Sequence, residues 1–511
     1  MRRFISVCSA AVLRQGKNDP NDAEAWYNKG NELVRLGRHE EALQAYDKAI
    51  AIDPQNANAL AGRGDALRKL GRPDEARQAY EKAIEIDPQN ADAWLGKGTA
   101  LRELGRYQEA LQAFGEAIEI DPQNADAWIG KGLALRKLGC SQKALEAFKE
   151  AIEIKPRNAD AWVLKGLALR KLGCSQKALE AFKEAIKINP GRFYAWYHKG
   201  TVLQKLDRFQ EALEAFKEAI NIDLKNARAW YRKGTALAAL GRHQEARQAY
   251  EEAINIDPKN AEAWVDRGLA LRKLGRDQEA LEAYEKAIEI DPQNADALAL
   301  KGNALRDLGC PQKALEAYEK AIEVEPLYAT AWIGKGDVLL LLGCDEEAEQ
   351  AFKKAIEIDP QNADAWIGKS IALLQLGHPE KAQQAYEETI KIDPRRADAW
   401  VDKSDVLQRL RRHEETLQAF EEAIEIDPRR AYVWYRKGLV GVLFGYHREA
   451  LQAFYEVIEI DPNNADAWYY KGNALRALER WTDAREAFEK ALELEHPAAS
   501  EALENMHSEG H

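Results

Sequence analysis

The sequence predicts an all-α fold, an α-solenoid of stacked helix pairs, and three observations predict it. A 34-residue unit recurs without insertion from Ala23 to Ala498, giving fourteen copies in a chain of 511 residues. Ala, Leu, Glu and Lys, all good helix formers, dominate the composition, whereas runs rich in Val, Thr or Gly-Asn turns, which would announce strands, are few. Each unit carries two amphipathic stretches, and a single unit cannot bury its apolar stripe alone, so neighbours must stack on one another.

One copy shows how the elements arise. Over residues 92–104, Trp94, Leu101 and Leu104 fall on one side of a helix. Asn90 stands where an N-cap is needed, and Asp92 favours the positive end of the helix dipole. Gly105 follows the last turn as a C-cap. A second helix over 108–120 places Ala110, Leu111, Phe114, Ala117 and Ile118 on its apolar face, and Pro122 then stops it. Gly98 and Ala110 are small where the two helices should cross. Across the copies, position 4 is Trp in twelve and Leu60 or Leu298 otherwise. Position 8 is Gly except at Ser370 and Ser404, position 20 is Ala except at Thr416, and position 24 is always Tyr or Phe. Position 32 is Pro except at Leu224 and His496.

Trp94, Gly98, Leu101, Gly105, Ala110, Phe114, Ala117 and Pro122 together closely resemble the tetratricopeptide repeat (TPR) family, and the resemblance covers about nine-tenths of the chain. It implies antiparallel helix pairs stacked into a right-handed superhelix. It also implies binding of other proteins, usually as extended peptides or helices, along a concave surface built from positions 2, 5, 9 and 12 of each unit.

The repeats divide the chain into residues 1–22, a degenerate N-terminal half-repeat or cap; 23–498, the tandem repeats; and 499–511, a C-terminal capping helix and frayed tail. Residues 3–18 read as the remnant of a preceding second helix closed by "DPND", and Ala502, Leu503 and Met506 as the face of the cap. Residues 131–152 and 165–186 are identical, "KGLALRKLGCSQKALEAFKEAI", which reads as duplication of a whole unit. The net charge of −12 argues against nonspecific binding to nucleic acid or to an anionic membrane, and no run approaches the roughly 18 apolar residues of a membrane span. Cys140, Cys174, Cys310 and Cys344 share one turn position in four repeats, roughly 10 Å apart in neighbouring copies by the usual helix spacing, too far for a disulfide. They read as reduced thiols, which fits a cytoplasmic location. "MRRFISVCSAAVL", which contains Cys8, also fits an export signal, although no clear cleavage site follows and Pro20 falls where a repeat would place its proline.

Lysine or arginine fills position 7 in every copy, as in Lys29, Arg63, Lys97, Lys131, Lys165 and Lys471. At about 100° per residue this position lies roughly 60° from the core Trp on one side, while positions 2, 5, 9 and 12 lie roughly 80–160° away on the other. The geometry favours methylene stems packed beside Trp, with the ammonium reaching the flank and pairing with acidic residues of neighbouring second helices. A phosphate- or carboxylate-binding ladder is the alternative.

Variation at the concave positions marks the candidate partner-binding residues. Repeats three to five offer an apolar floor of Leu95, Ile129, Leu133, Val163 and Leu167, edged by Arg102, Arg136 and Arg170. Repeats six and seven add Tyr194, Tyr197 and Tyr231 beside Arg228. Repeats ten and eleven replace the usual Arg with Leu and offer Ile333, Leu340, Leu341, Ile367, Ile371 and Leu374; as large exposed apolar side chains in an acidic chain, Leu340, Leu341 and Leu374 point to a covered site. Repeats thirteen and fourteen offer Tyr432, Tyr435, Tyr469 and Tyr470. Position-5 aliphatics also pack against neighbouring helices, and a row of arginines is often only a solvated face. The carboxylate clamp of chaperone-binding relatives fails, because the positions beside Asn31, Asn303 and Asn473 are Tyr27, Ala299 and Tyr469. The asparagine ladder of the O-linked glycosyltransferase arm fails as well, with Asn28 alone at position 6.

No residue pattern announces catalysis, a cofactor or a metal. The glycines follow the repeat lattice rather than a phosphate-cradling cluster, and His507 and His511 lie in the tail without further ligands. The reading that follows is a non-catalytic scaffold for protein or peptide partners, with no nucleic acid and no membrane. A self-associating structural rod, or the regulatory arm of an enzyme carried on another chain, are the alternatives.

Overall fold

The computed structural model describes residues 22–508. Among the described residues there are 29 helices and no strand. The N-terminal remnant or signal read into residues 1–21, Cys8, and the tail from residue 509 with His511 lie outside them. Helices alternate between first helices such as Ala91–Glu103 and second helices such as Tyr107–Ile120, and within each unit a second helix packs against its partner and against the first helix of the next repeat. The chain divides into two compact units at Pro258 and Lys259. The first holds repeats one to seven and the second repeats eight to fourteen.

In the first unit six of the seven first helices begin on a capping Asp or Asn, and only that of repeat six, at Arg192, lacks a side-chain cap. Asn124 accepts a hydrogen bond from the Ala127 N–H at 3.1 Å, and Asn56, Asn90, Asn158 and Asn226 do the same in their repeats. The helix ends where the chain turns left-handed, at Gly105 (φ +77°) and Gly139 (φ +82°). Repeat six must place Asp207 there instead, at φ +56°. The tryptophan of position 4 ties each first helix to the turn before it: the Trp128 Nε1 donates to the Pro122 carbonyl at 3.1 Å and Trp162 to Pro156 at 2.9 Å.

The core of this unit is a row of rings from position 24, including Tyr80, Phe114, Phe148, Phe182 and Phe216, all buried. Burying each ring contributes about 1.5–3 kcal/mol. The close crossing that buries them requires glycine. A Cβ on Gly98 would lie 2.8 Å from the Phe114 ring, and a Cβ on Gly130, in the next repeat, 2.4 Å from the same ring edge.

The second unit repeats this plan with Tyr284, Tyr318, Phe352, Tyr386, Phe420, Phe454 and Phe488. Its irregular positions find internal partners. Ser370, in place of glycine, donates to the Trp366 carbonyl at 2.8 Å, and Thr416, in place of alanine, donates to the Arg412 carbonyl at 2.8 Å. Arg411 and Glu479 take the left-handed turn position at φ +56° and +58°. The last helix, Ala499–Ser508, lays Ala499, Ala502 and Met506 onto the final pair.

Candidate partner-binding groove

The position-7 cations lie outside the groove. The Lys131 Nζ sits 5.0 Å from the Trp128 ring centroid, Lys165 4.4 Å from Trp162 and Lys471 4.4 Å from Trp468. The three-residue spacing on a helix brings each ammonium over the ring of its own repeat, a cation–π contact that reading the stems as packing alone did not include. Their ion partners are position-25 residues of the preceding second helix: Lys97–Glu81 at 3.3 Å, Lys335–Glu319 at 2.8 Å and Lys437–Glu421 at 3.1 Å. Three in the first unit meet lysine instead. Burial, then Lys149, pushes the Lys165 ammonium down; Lys183 does this to Lys199, and Lys217 to Lys233, again after burial. The cations thus serve the seams between repeats.

On the opposite side of the first helices, a cavity of about 460 Å³ runs over repeats two to four. Leu95, Ile129 and Leu133 form its floor, Gly96 and Gly130 lower it between them, and Arg68, Arg102, Asp65, Asp92 and Asp126 stand at its sides. The floor side chains are only half-buried. The cavity brings together four of the eight residues of the first predicted zone, Leu95, Arg102, Ile129 and Leu133. Val163 is the correction: it is 6% exposed and belongs to the packing, next to Leu164, where repeats two to four have glycine. Leu167 remains half-exposed.

The arginines of this stretch are not a solvated face. Arg102 and Arg136 are half-buried, and the Arg102 Nε is buried without a hydrogen-bond partner. Burial, then the neighbouring Arg102, pushes the Arg136 guanidinium down. Arg170 lies 3.3 Å from the His198 ring nitrogen, and burial, with Arg170 and Arg136, pushes that ring down to about 4.

The other zones divide. Tyr194 is 59% exposed, whereas Tyr197 stacks on Phe193 at 5.7 Å and Tyr231 lies 5.8 Å from Tyr250. In repeats ten and eleven Leu341 is 66% exposed, but Leu340 and Leu374 are half-buried, a second correction. Ile333 and Leu340 pack on the Leu339–Phe352 cluster, and Ile367 and Leu374 on the Leu373–Tyr386 cluster; Ile371 is half-buried beside them. Leu340 and Leu374 thus border the apolar clusters of their own repeats. Tyr435 packs edge-on to Phe454 at 6.2 Å, and Tyr469 is covered by His496, stacked at 4.1 Å. Tyr432 is 55% exposed and accepts from Arg436 at 2.6 Å.

Repeat twelve gathers Asp398, Asp402 and Asp405; burial, then Asp405 and Asp398, pushes Asp402 up to about 6. Among the described residues no group of three or more His, Cys, Asp or Glu is arranged to hold a metal ion, and no helix is long and apolar enough to cross a membrane.

Family profiles for the tetratricopeptide repeat match residues 61–125, 197–261, 300–363 and 402–465. Others of the same description match 125–158, 159–192, 261–294 and 465–496, then 346–410 and 283–316, and a TPR repeat profile matches 30–71. No curated protein matches the chain. Among solved structures, YrrB, described as a TPR protein with an unusual peptide-binding site, is 27% identical over 37% of this chain and 96% of its own, at a TM-score of 0.34. A chain of the APC/C hetero-tetramer Cut9–Hcn1 is 16% identical over 90% of this chain and 97% of its own, at 0.40. Yeast Tom70 is 17% identical over 80% and 97%, at 0.37.

Proposed function

We propose that this chain, which belongs to the tetratricopeptide repeat family, is a non-catalytic scaffold that binds a segment of a partner protein along the first-helix groove of repeats two to five. The observation that carries this reading is the cavity of about 460 Å³ with a half-exposed aliphatic floor between charged sides. Apolar centre and polar rim are the usual anatomy of a protein interface. Affinity comes from modest contacts repeated over several units, and about −8 kcal/mol suffices for a micromolar complex.

The test is capture of partners from the native host by the full chain and by a Leu133→Asp variant. The charge on the floor should weaken groove-bound partners about tenfold or more while helicity by circular dichroism stays the same. Identical partner sets, captured equally by a folded variant, would remove this groove as the binding site.

A further inference from the structure

We infer that the segment held in this groove is acidic: an extended stretch of a partner protein with a carboxylate at about every third residue and aliphatic side chains between. The inference rests on the groove reading above and adds the partner's chemistry.

Comparison among the repeats carries it. Three of the four other position-12 arginines, all but Arg476 in the last repeat, have carboxylates supplied by the next repeat. Arg68 donates to Glu103 at 3.1 Å, Arg306 donates to Asp337 at 3.1 Å, and Arg272 pairs with Asp307. These acids stand at positions 9 and 13 of the following unit. For Arg102, Arg136 and Arg170 the same two positions are Leu133 and Lys137, Leu167 and Lys171, and Thr201 and Lys205. The chain thus withholds the internal counter-ion in three successive repeats and places leucine, threonine or another cation there. The three arginines hold the same position on three successive first helices, and Arg170 reaches the His198 ring of the next repeat at 3.3 Å. Of the carboxylates beside the row, Asp126 pairs with Lys155 at 3.3 Å, Asp160 pairs with Arg192 and Asp65 accepts from Tyr80, while Asp92 stands exposed at the rim. Half-buried, mutually repelling cations on an apolar floor are relieved by carboxylates brought from outside, and arginine suits carboxylate through paired hydrogen bonds.

Spacing sets the pattern. First helices of successive repeats lie about 10 Å apart, and an extended chain advances about 3.3 Å per residue, so one carboxylate per repeat means one every third residue. A nucleic acid fits less well. The chain carries a net charge of −12, and the floor residues Leu95, Ile129, Leu133 and Leu167 give bases no aromatic platform.

The experiment selects binders from a random twelve-residue peptide library with the full chain, then measures them by fluorescence anisotropy against Arg102→Gln, Arg136→Gln, Leu133→Asp and the control Arg306→Gln. The expected peptides carry Asp or Glu three residues apart with aliphatics between. Arg136→Gln should weaken them about ten- to hundredfold, and Arg306→Gln should not. Selected peptides that are neutral or basic, or acidic ones indifferent to both groove arginines, overturn the acidic partner; if such peptides still need Leu133, the groove reading survives. Absence of any Leu133-dependent peptide overturns both. A single-stranded oligonucleotide bound as tightly as the peptides, and released by Arg136→Gln, also overturns the acidic-peptide assignment.

Discussion

Replacing Gly130 by alanine separates two physical effects that usually travel together. Gly130 lies inside the helix Ala125–Lys137, so by propensity alone alanine should stabilise by about 1 kcal/mol. Packing says the opposite. The added methyl would stand 2.4 Å from the Phe114 Cε1 and 2.5 Å from its Cζ, where carbon atoms prefer about 3.5–4.0 Å. The ring cannot step aside, because it is fully buried and the Gly98 backbone holds the same edge, with a Cβ site 2.8 Å away. Overpacking of this kind costs about 1–3 kcal/mol. With that ring edge already held by Gly98, we expect the upper part of that range and a net loss of about 1–2 kcal/mol. Gly115 is the matched control: it too is helical, within Tyr107–Ile120, but a Cβ there meets nothing within 4 Å. Gly115→Ala should therefore gain about 1 kcal/mol. A stack of repeats opens locally, so the assay is native-state hydrogen exchange of the amides in these two helices. The variants should differ by about 2–3 kcal/mol, about thirty- to a hundred-and-fiftyfold in local opening, with Gly130→Ala the less protected. Equal or greater protection for Gly130→Ala would refute the claim that the glycine is there to admit the ring.

Two further outcomes are expected. Asp207→Gly relieves a non-glycine residue from φ +56° and should raise the stability of repeat six by about 1 kcal/mol, read by hydrogen exchange; an unchanged or lower value contradicts the strain argument. The two shifted groups also predict opposite pH effects. Asp402 binds its proton more tightly when folded (about 6) than unfolded (about 3.9), so the advantage of Asp402→Asn over the native chain at pH 7.5 should vanish as pH falls to about 4 in denaturant titrations. His198, pushed down to about 4 from an ordinary 6.5, binds its proton less tightly when folded, so the native chain should lose stability relative to His198→Gln across that window.

Much of this fold is legible because its information is local and repeated. The cap at Asn124, the turn at Gly105 and the burial of Phe114 each depend on residues within one unit, and fourteen copies average out the ambiguity of any one. The position-7 cations were also readable, since helical geometry alone directs them away from positions 5 and 9. Exposure in the groove was less so. Val163 and Leu95 occupy equivalent positions, yet one is buried and the other half-exposed, because Leu164 stands where the other repeat has Gly96. Leu340 and Leu374 are half-buried and not exposed as expected, because they border the apolar clusters of their own repeats. The missing counter-ions of Arg102 and Arg136 were present in the sequence, but only as an absence 31 or 35 residues further on, a separation that becomes meaningful once Arg68 is seen to reach Glu103.

The lysine column has a consequence for ionic strength. Where Lys97 faces Glu81 or Lys335 faces Glu319, added salt screens an attraction and weakens the joint slightly. Between repeats four and seven, where Lys165, Lys199 and Lys233 face lysines, the same salt screens a repulsion and strengthens it. One solvent variable thus acts with opposite sign at different joints of the first unit, and the order in which its hairpins loosen depends on the surrounding electrolyte.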